Sequence, residues 1–336
     1  METIMDEFSD ISERSMSRGL SGGSQEAETK MEAAKKLLKQ ANYKAAIETY
    51  SICLDFYKKR YGESDLKVAA AYDGLGMCYY MQGKYEEALE NCSLALSINL
   101  KVNGEKDPDT ASSYDQQGVV YEKLGRYTLS LESHKKALNI RLQCFGENHY
   151  HVAMSYNNIG NVYYSIKKWN ESLENHLKSL EIKTKLFPAD HVTIADSYNN
   201  IASIYESQEK YDLSLNEFSK ALEIYKKYHK ENHPAVANCY NNIGNIYERL
   251  NKYEESLINH TKALEIRKKT LGENHVDVAM SYNNIGNVYD DLAKYSTALE
   301  SYQNALDIMK KELREKHPYV SIIQKNIERV KQKLKK

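Results

Sequence analysis

This 336-residue chain sets 46 lysines and arginines against 47 aspartates and glutamates, a balance that gives no push toward nucleic acid or an anionic membrane. No apolar run approaches the roughly 20 residues a membrane-spanning helix needs. The five cysteines, at 53, 78, 92, 144 and 239, form neither a CxxC pair nor an even disulfide set, which suits a reducing compartment and a cytoplasmic location.

The chain opens on METIMDEFSD, acidic where a secretory leader is basic and then apolar. Residues 1–26 hold serines at 9, 12, 15, 17, 21 and 24, glycines at 19, 22 and 23, and few apolar side chains. They are expected to form a disordered, Ser/Gly-rich acidic tail. After them one period organises the sequence. Tyr72, Tyr114, Tyr156, Tyr198, Tyr240 and Tyr282 stand 42 residues apart, and so do Tyr79, Tyr121, Tyr163, Tyr205, Tyr247 and Tyr289. Leu89, Leu131, Leu173, Leu215, Leu257 and Leu299 keep the same step, as do Gly76, Gly118, Gly160, Ala202, Gly244 and Gly286. Seven repeats result over 27–312, starting near 27, 69, 111, 153, 195, 237 and 279; the first is degenerate.

Within a repeat, Tyr156, Ile159, Gly160 and Tyr163 fall on one helical face. Leu173, His176, Leu180 and Ile182 resume the pattern after a break near 167–169, predicting a second helix packed back on the first. A mid-helix glycine costs about 1 kcal/mol against alanine. Its recurrence predicts that a partner backbone fills the space, with Ser172 and Ser179 aiding the approach. Beyond the repeats, Val320, Ile323, Ile327, Val330 and Leu334 predict one last amphipathic helix over 318–334, a cap for the exposed face of repeat seven. The end of the chain is basic. Either it is a solvated helix face, or it meets an acidic surface such as a microtubule or the chain's own N-terminal tail.

With LGENHVDVAMSYNNIGNVYDDLAKYSTALESYQNALDI (271–308) in view, the pattern resembles the tetratricopeptide repeat, lengthened from its usual period of about 34 residues. The long unit, the G-E-N-H linker, the Asn-Asn pair and the L-x-I ending at Leu264–Ile266 resemble the kinesin-light-chain type. Nephrocystin-3-like repeat scaffolds are similar. The resemblance implies an all-α fold: a right-handed superhelical solenoid of tetratricopeptide helix pairs with a C-terminal capping helix. It implies that the first helix of each pair lines a concave groove, and that the chain is an adaptor or scaffold holding an extended peptide segment there. The alternative is an architectural part of a cytoskeletal, motor or ciliary assembly that uses the convex face and edges.

Asparagine is a poor helix former, so its repeated use in SYNNIGNVY and its relatives needs another reason. Asn157, Asn158 and Asn161 lie between the core positions, and the same offsets give Asn199, Asn200 and Ser203, then Asn241, Asn242 and Asn245, then Asn283, Asn284 and Asn287. Two readings fit. The amides, each both donor and acceptor, grip a ligand backbone, or they bridge neighbouring first helices. The remaining groove offsets carry Asp73, Asp115, Gln116, Asp196, Asn238, Glu122, Glu206, Glu248, Asp290 and Asp291, with Lys123 and Arg249 as basic exceptions. A neutral-to-acidic groove calls for a polar or basic protein segment, since like charge repels an acidic one.

No nucleophile–base pairing, phosphate loop or dinucleotide glycine set appears, so no enzyme activity, cofactor or metal is expected, and no nucleic acid or membrane insertion. His149, His191, His233, His275 and His317 recur once per linker and are expected as polar caps of the following helix. His134, His176 and His260 share a slot with Tyr50, Cys92, Phe218 and Tyr302, which marks a packing position.

Overall fold

A computed structural model describes residues 22–312 and 317–335, which form fifteen helices and no strand. They divide into two compact units, one ending at Leu186 and one beginning at Phe187. The first unit holds α1 (Gly22–Lys39), α2 (Tyr43–Tyr61), α3 (Leu66–Met81), α4 (Tyr85–Val102), α5 (Pro108–Lys123), α6 (Tyr127–Phe145), α7 (Tyr150–Ser165) and α8 (Trp169–Leu186). The second holds α9 (Val192–Ser207), α10 (Tyr211–His229), α11 (Pro234–Arg249), α12 (Tyr253–Leu271), α13 (Val276–Asp291), α14 (Tyr295–Glu312) and α15 (Pro318–Leu334). In each unit an odd-numbered helix packs on the even-numbered helix after it, and each pair packs on the next. α1 begins at Gly22, inside the segment expected as a tail; residues 1–21 lie outside the described residues.

One backbone device turns every pair. Gly83 and Gly125 occupy the left-handed region between the two helices, and Ala41, Lys167, Glu209, Asn251 and Ala293 occupy the same place at φ of 55–60°. Only the first two have the residue that adopts this conformation without strain. The others hold it because the packed pair on either side leaves no other path.

The recurrent helix glycines require a correction. A Cβ on Gly160 meets the His176 ring at 2.8 Å, on Gly244 the His260 ring at 2.8 Å, on Gly118 the His134 ring at 2.7 Å and on Gly286 the Tyr302 ring at 2.7 Å. The space is filled by a side-chain ring from the second helix, not by its backbone. Approach to the backbone comes one turn earlier on the second helix, where Ser172, Ser214 and Ser256 donate to the carbonyls of Gly160, Ala202 and Gly244 at 2.9 Å. The tyrosines are less deeply buried than a core series. Tyr72 and Tyr240 are buried, whereas Tyr114, Tyr156, Tyr198 and Tyr282 are half-buried. Lys136, Lys178, Lys220 and Lys262 cover the rings of Tyr114, Tyr156, Tyr198 and Tyr240, with ammonium groups 5.1–5.6 Å from the centroids.

Helix starts are capped by one column of side chains. Asp65 and Asp107 accept from the backbone N–H two residues on at 2.8 Å. In the later linkers the acceptor is imidazole Nδ1: His149, His191, His233, His275 and His317 cap α7, α9, α11, α13 and α15 at 3.1–3.4 Å. α15 buries Val320, Ile323, Ile327 and Val330 in the α13–α14 core. Where α13 offers Ala279, Tyr282, Gly286 and Tyr289 to its second helix, α15 has Ser321, Gln324, Glu328 and Lys331.

Candidate interaction face of the first helices

On α11, α13 and α15 the amides form rungs. Asn284 donates its Nδ2 to Asn241 Oδ1 at 2.9 Å, and Asn326 on α15 donates to Asn283 Oδ1 at 3.1 Å. Each rung joins residues 43 apart, so the first amide of one pair meets the second amide of the next. Asn287 is also engaged, accepting from the Tyr302 hydroxyl at 2.8 Å. These amides bridge first helices or hold the second helix.

Others remain open. The half-buried side chains of Asn199, Asn242 and Asn245 in the second unit, and of Asn161 in the first, make no hydrogen bond to another described residue. Asn157 and Asn200 are half-buried and each has a partner, while Asn158 has one too and is buried at 8% exposure. Ser203 donates back to the Asn199 carbonyl at 3.1 Å. The twelve predicted positions therefore separate into amides occupied within the protein and amides still presented.

The acidic offsets separate in the same way. Asp73, Asp115 and Gln116 are buried at 6%, 2% and 3% exposure, which removes them from the open face where their spacing placed them. The physical reason for Asp115 is plain. Arg141 Nη1, from the second helix of the same repeat, donates to its Oδ2, and His134 Nδ1 lies 2.7 Å from its Oδ1. Although burial alone would raise it, the Arg141 and His134 groups hold the Asp115 carboxyl below its ordinary range. Arg141 also donates to Ser155 Oγ on α7 at 2.8 Å, tying two repeats together. Asp290 is buried at 5% and bound by the last helix: Arg329 Nε donates at 3.0 Å and Lys333 Nζ at 2.7 Å. Part of the basic C-terminal stretch is thus an intramolecular ion pair.

Glu206 and Glu248 stay half-buried on the second unit's face. Burial pushes both carboxyls up; Asp291 adds to this at Glu248, and the Arg249 guanidinium opposes it at both. Asp291 is exposed, raised by its own partial burial and by Asp290. Arg249 is exposed beside Glu248.

Sequence reasoning missed a buried basic column on the second helices. Arg141, Lys183 and Arg267 are 4%, 3% and 8% exposed. Arg267 donates to Ser281 Oγ at 2.8 Å and to Asn238 Oδ1 at 2.9 Å. The signal was present: each follows a buried isoleucine (Ile140, Ile182, Ile266) at the same repeat position, which Tyr225 fills between Lys183 and Arg267. A charge repeated in register beside core positions marks an interior hydrogen-bonding site. Among the described residues no group of three or more metal-ligating side chains converges, and no helix is long and apolar enough to cross a membrane.

Comparison with known proteins gives a consistent picture of the fold. The tetratricopeptide repeat family matches residues 25–101, 69–142, 109–185, 193–269 and 244–311. Among solved structures, the apo form of RapI is similar with a TM-score of 0.64 at 17% identity, covering 85% of this chain and 98% of its own. A tetratricopeptide repeat protein from Parabacteroides merdae gives 0.58 at 16% identity, covering 91% and 99%. Nearly identical TPR-like repeats of a putative kinesin light chain from Podosopora anserina give 0.53 at 16% identity, covering 60% and 96%. The comparison with curated proteins found no match.

Proposed function

Because the chain belongs to the tetratricopeptide repeat family, whose members mediate protein–protein contacts, we propose that it is a non-catalytic adaptor that holds an extended protein segment on its first-helix face. The segment is polar or basic. The observation that carries this reading is the set of presented amides: Asn199, Asn242 and Asn245 stand half-exposed on one unit with hydrogen-bonding capacity that no described residue takes up. A peptide backbone needs donors and acceptors at fixed intervals, and amides on rigid helices supply both. Glu206, Glu248 and Asp291 border these amides and favour a cationic side chain over an anionic one. The ion pairs from Arg329 and Lys333 to Asp290 supply an internal precedent for a guanidinium and an ammonium at this column.

The five cysteines are all free thiols, which supports a reducing, cytoplasmic setting. The kinesin-light-chain resemblance favours a cytoskeletal or ciliary assembly as the place of action. The test is paired. Asn199, Asn242 and Asn245 are replaced together by alanine, and affinity for a panel of acidic, neutral and basic peptides is measured by calorimetry beside urea unfolding. Three lost amide contacts, each worth about 0.5–1.5 kcal/mol net, lower affinity for neutral and basic peptides at least tenfold and leave unfolding unchanged. Binding of acidic peptides alone, or a triple variant that binds as well as the parent, removes the groove reading. The convex-face architectural role then takes its place.

A further inference from the structure

An ion pair that joins repeats two and three is missing between repeats three and four. Arg126, just before α6, donates its Nη2 to Glu86 Oε1 in the first turn of α4 at 2.6 Å. At the 42-residue step Lys168, just before α8, is the counterpart of Arg126, and Thr128 is the counterpart of Glu86. α6 has no acid in its first turn, and Lys168 forms no ion pair with another described residue. A cavity of about 570 Å³ lies at this place, between the start of α6 and the turn that joins α7 to α8.

The walls of the cavity are apolar and its free charges are positive. Half-buried Tyr127, Leu131 and Ile166 line it, beside the exposed ammonium groups of Lys135 and Lys168. Glu132, also at the rim, is taken by Lys136 at 2.8 Å. Lys135 lies over the Tyr163 ring, 6.0 Å from its centroid, and pairs with no carboxylate of the described residues. Where repeat two has Glu87, α6 has Leu129, which is 42% exposed. An occupant that fits here brings acids for the two lysines and apolar side chains for the cavity.

The chain contains such a segment. Its opening METIMDEFSDISE sets Met1, Ile4, Met5, Phe8 and Ile11 among Glu2, Asp6, Glu7, Asp10 and Glu13, with no basic residue before Arg14. From Phe8 to Gly22, where α1 begins, the chain can span about 46–50 Å. Gly22 lies at the linker end of a first helix and the cavity at the turn end, about 27 Å away for a helix of this length. Along the stack the cavity is two to three helices further on, about 25 Å at about 10 Å a helix. The two distances combine to about 40 Å, within the chain's reach. We propose that this N-terminal segment docks in the cavity, with Met5 and Phe8 against its apolar walls and Asp6 and Glu7 on Lys168 and Lys135. The start of the chain then supplies the acid that Glu86 supplies to Arg126. The contact closes this edge of repeats three and four to any partner of the same acidic and apolar chemistry.

The full-length chain tests this with p-benzoylphenylalanine at position 8, which captures its neighbours on illumination, and with mass spectrometry of the products. Capture is expected at residues 127–135 and 166–168 of the same chain. Thr128→Glu gives Lys168 an acid of its own, as Glu86 does for Arg126, and lowers that yield about threefold, the size of one exposed ion pair lost to an internal rival. Thr128→Gln, the uncharged match to glutamate, leaves the yield unchanged. Lys135→Glu with Lys168→Glu lowers it further, and adding Asp6→Lys with Glu7→Lys restores it. Capture on the first-helix face or on α15, no capture at all, or equal losses from Thr128→Glu and Thr128→Gln overturns the proposal. So does capture only between copies, read from a mixture of isotope-labelled and unlabelled chains, which assigns the cavity to the segment of a second copy.

Discussion

Repeats two and three differ from repeats four to seven at two columns that change together. The helix cap is Asp65 and then Asp107 in the first group, but His149, His191, His233 and His275 in the second. The first groove offset is Asp73 and then Asp115 in the first group, but Asn157, Asn199, Asn241 and Asn283 in the second. The consequence is visible in what each side chain holds. Asp115 is bound within its own repeat, by Arg141 and His134 of the second helix. Asn241, in the equivalent place, reaches across to Asn284 of the next first helix. At Asp115 the carboxylate is buried against Arg141 and His134, whereas Asp73 is buried with no hydrogen-bond partner among the described residues. An amide needs no counter-charge, so it serves as a rung or stays on the surface. The same backbone thus yields a charged clamp within repeat three and neutral rungs between the last repeats.

The largest expected effect tests that contrast directly. Arg141→Met leaves Asp115 a buried charge without its guanidinium and is expected to cost about 3–5 kcal/mol. Arg267→Met removes an equivalent side chain whose acceptors, Ser281 and Asn238, are neutral, and is expected to cost about 1–3 kcal/mol. Both are read from urea unfolding at pH 7. Equal losses would show that the two clusters do not differ in kind.

Acid separates the regions next. Burial holds His176 and His260 at about 4, with the Lys183 and Arg267 cations adding to the shift. A histidine depressed in the folded state is neutral when folded and charged when unfolded between about 4 and 6.5, so stability falls as pH drops through that window. The loss is up to about 3 kcal/mol each. Asp115 shifts downward from the carboxylate range, so its contribution survives throughout the same window and is lost only at lower pH. His260→Tyr, copying Tyr302, is expected to remove the acid loss of repeat six. Its hydroxyl can bond Asn245 as Tyr302 bonds Asn287, so the same variant should weaken peptide affinity. An unfolding midpoint that still falls as steeply from pH 6.5 to pH 4.5 contradicts the assignment.

A smaller effect checks the ring packing common to both groups. Gly244→Ala places a methyl 2.8 Å from His260 and is expected to cost about 1–3 kcal/mol by overpacking. Ala202→Gly, where Phe218 already accommodates a methyl, is expected to cost only about 0.5–1 kcal/mol from backbone freedom. Thermal unfolding of both variants decides whether the ring or the backbone sets the limit.

The fold was legible because its period was. A 42-residue recurrence of Tyr, Gly and Leu can be satisfied only by stacked identical units, and the three-four spacing within a unit specifies two helices. The face was less legible. Spacing alone gives Asn284 and Asn242 the same standing, yet Asn284 closes a rung while Asn242 stays open. The difference depends on rotamer and on distance to the neighbouring helix, which a linear register does not contain. Asp115 looked like a groove acid for the same reason. Its fate was set by Arg141, a residue 26 positions away on another helix.

The smallest expected effect concerns the caps and the ring that stands four residues before His149, His191 and His233. Carboxylate caps sit at 2.8 Å from their donors and carry a charge that suits a helix N-terminus; imidazole caps sit at 3.1–3.4 Å and are neutral acceptors. The weaker acceptor has support that Asp107 lacks. His149 stacks on Phe145 at 4.2 Å, His191 on Phe187 at 4.4 Å and His233 on His229 at 3.7 Å, each ring four residues back. Before Asp107 that position is Asn103, whose amide nitrogen is buried without a partner. Asp107→His alone should therefore lose about 0.3–1 kcal/mol of helix-end electrostatics, with no platform to hold the ring. Adding Asn103→Phe should restore about 0.5–1.5 kcal/mol through stacking. The double-mutant cycle Asn103→Phe/Asp107→His, measured by urea unfolding at pH 7.5 where the imidazole is neutral, gives the coupling directly. A positive coupling means that the histidine linker is a two-residue device, a cap together with its platform. Strict additivity means that the rings and the caps recur in the same linkers without helping one another.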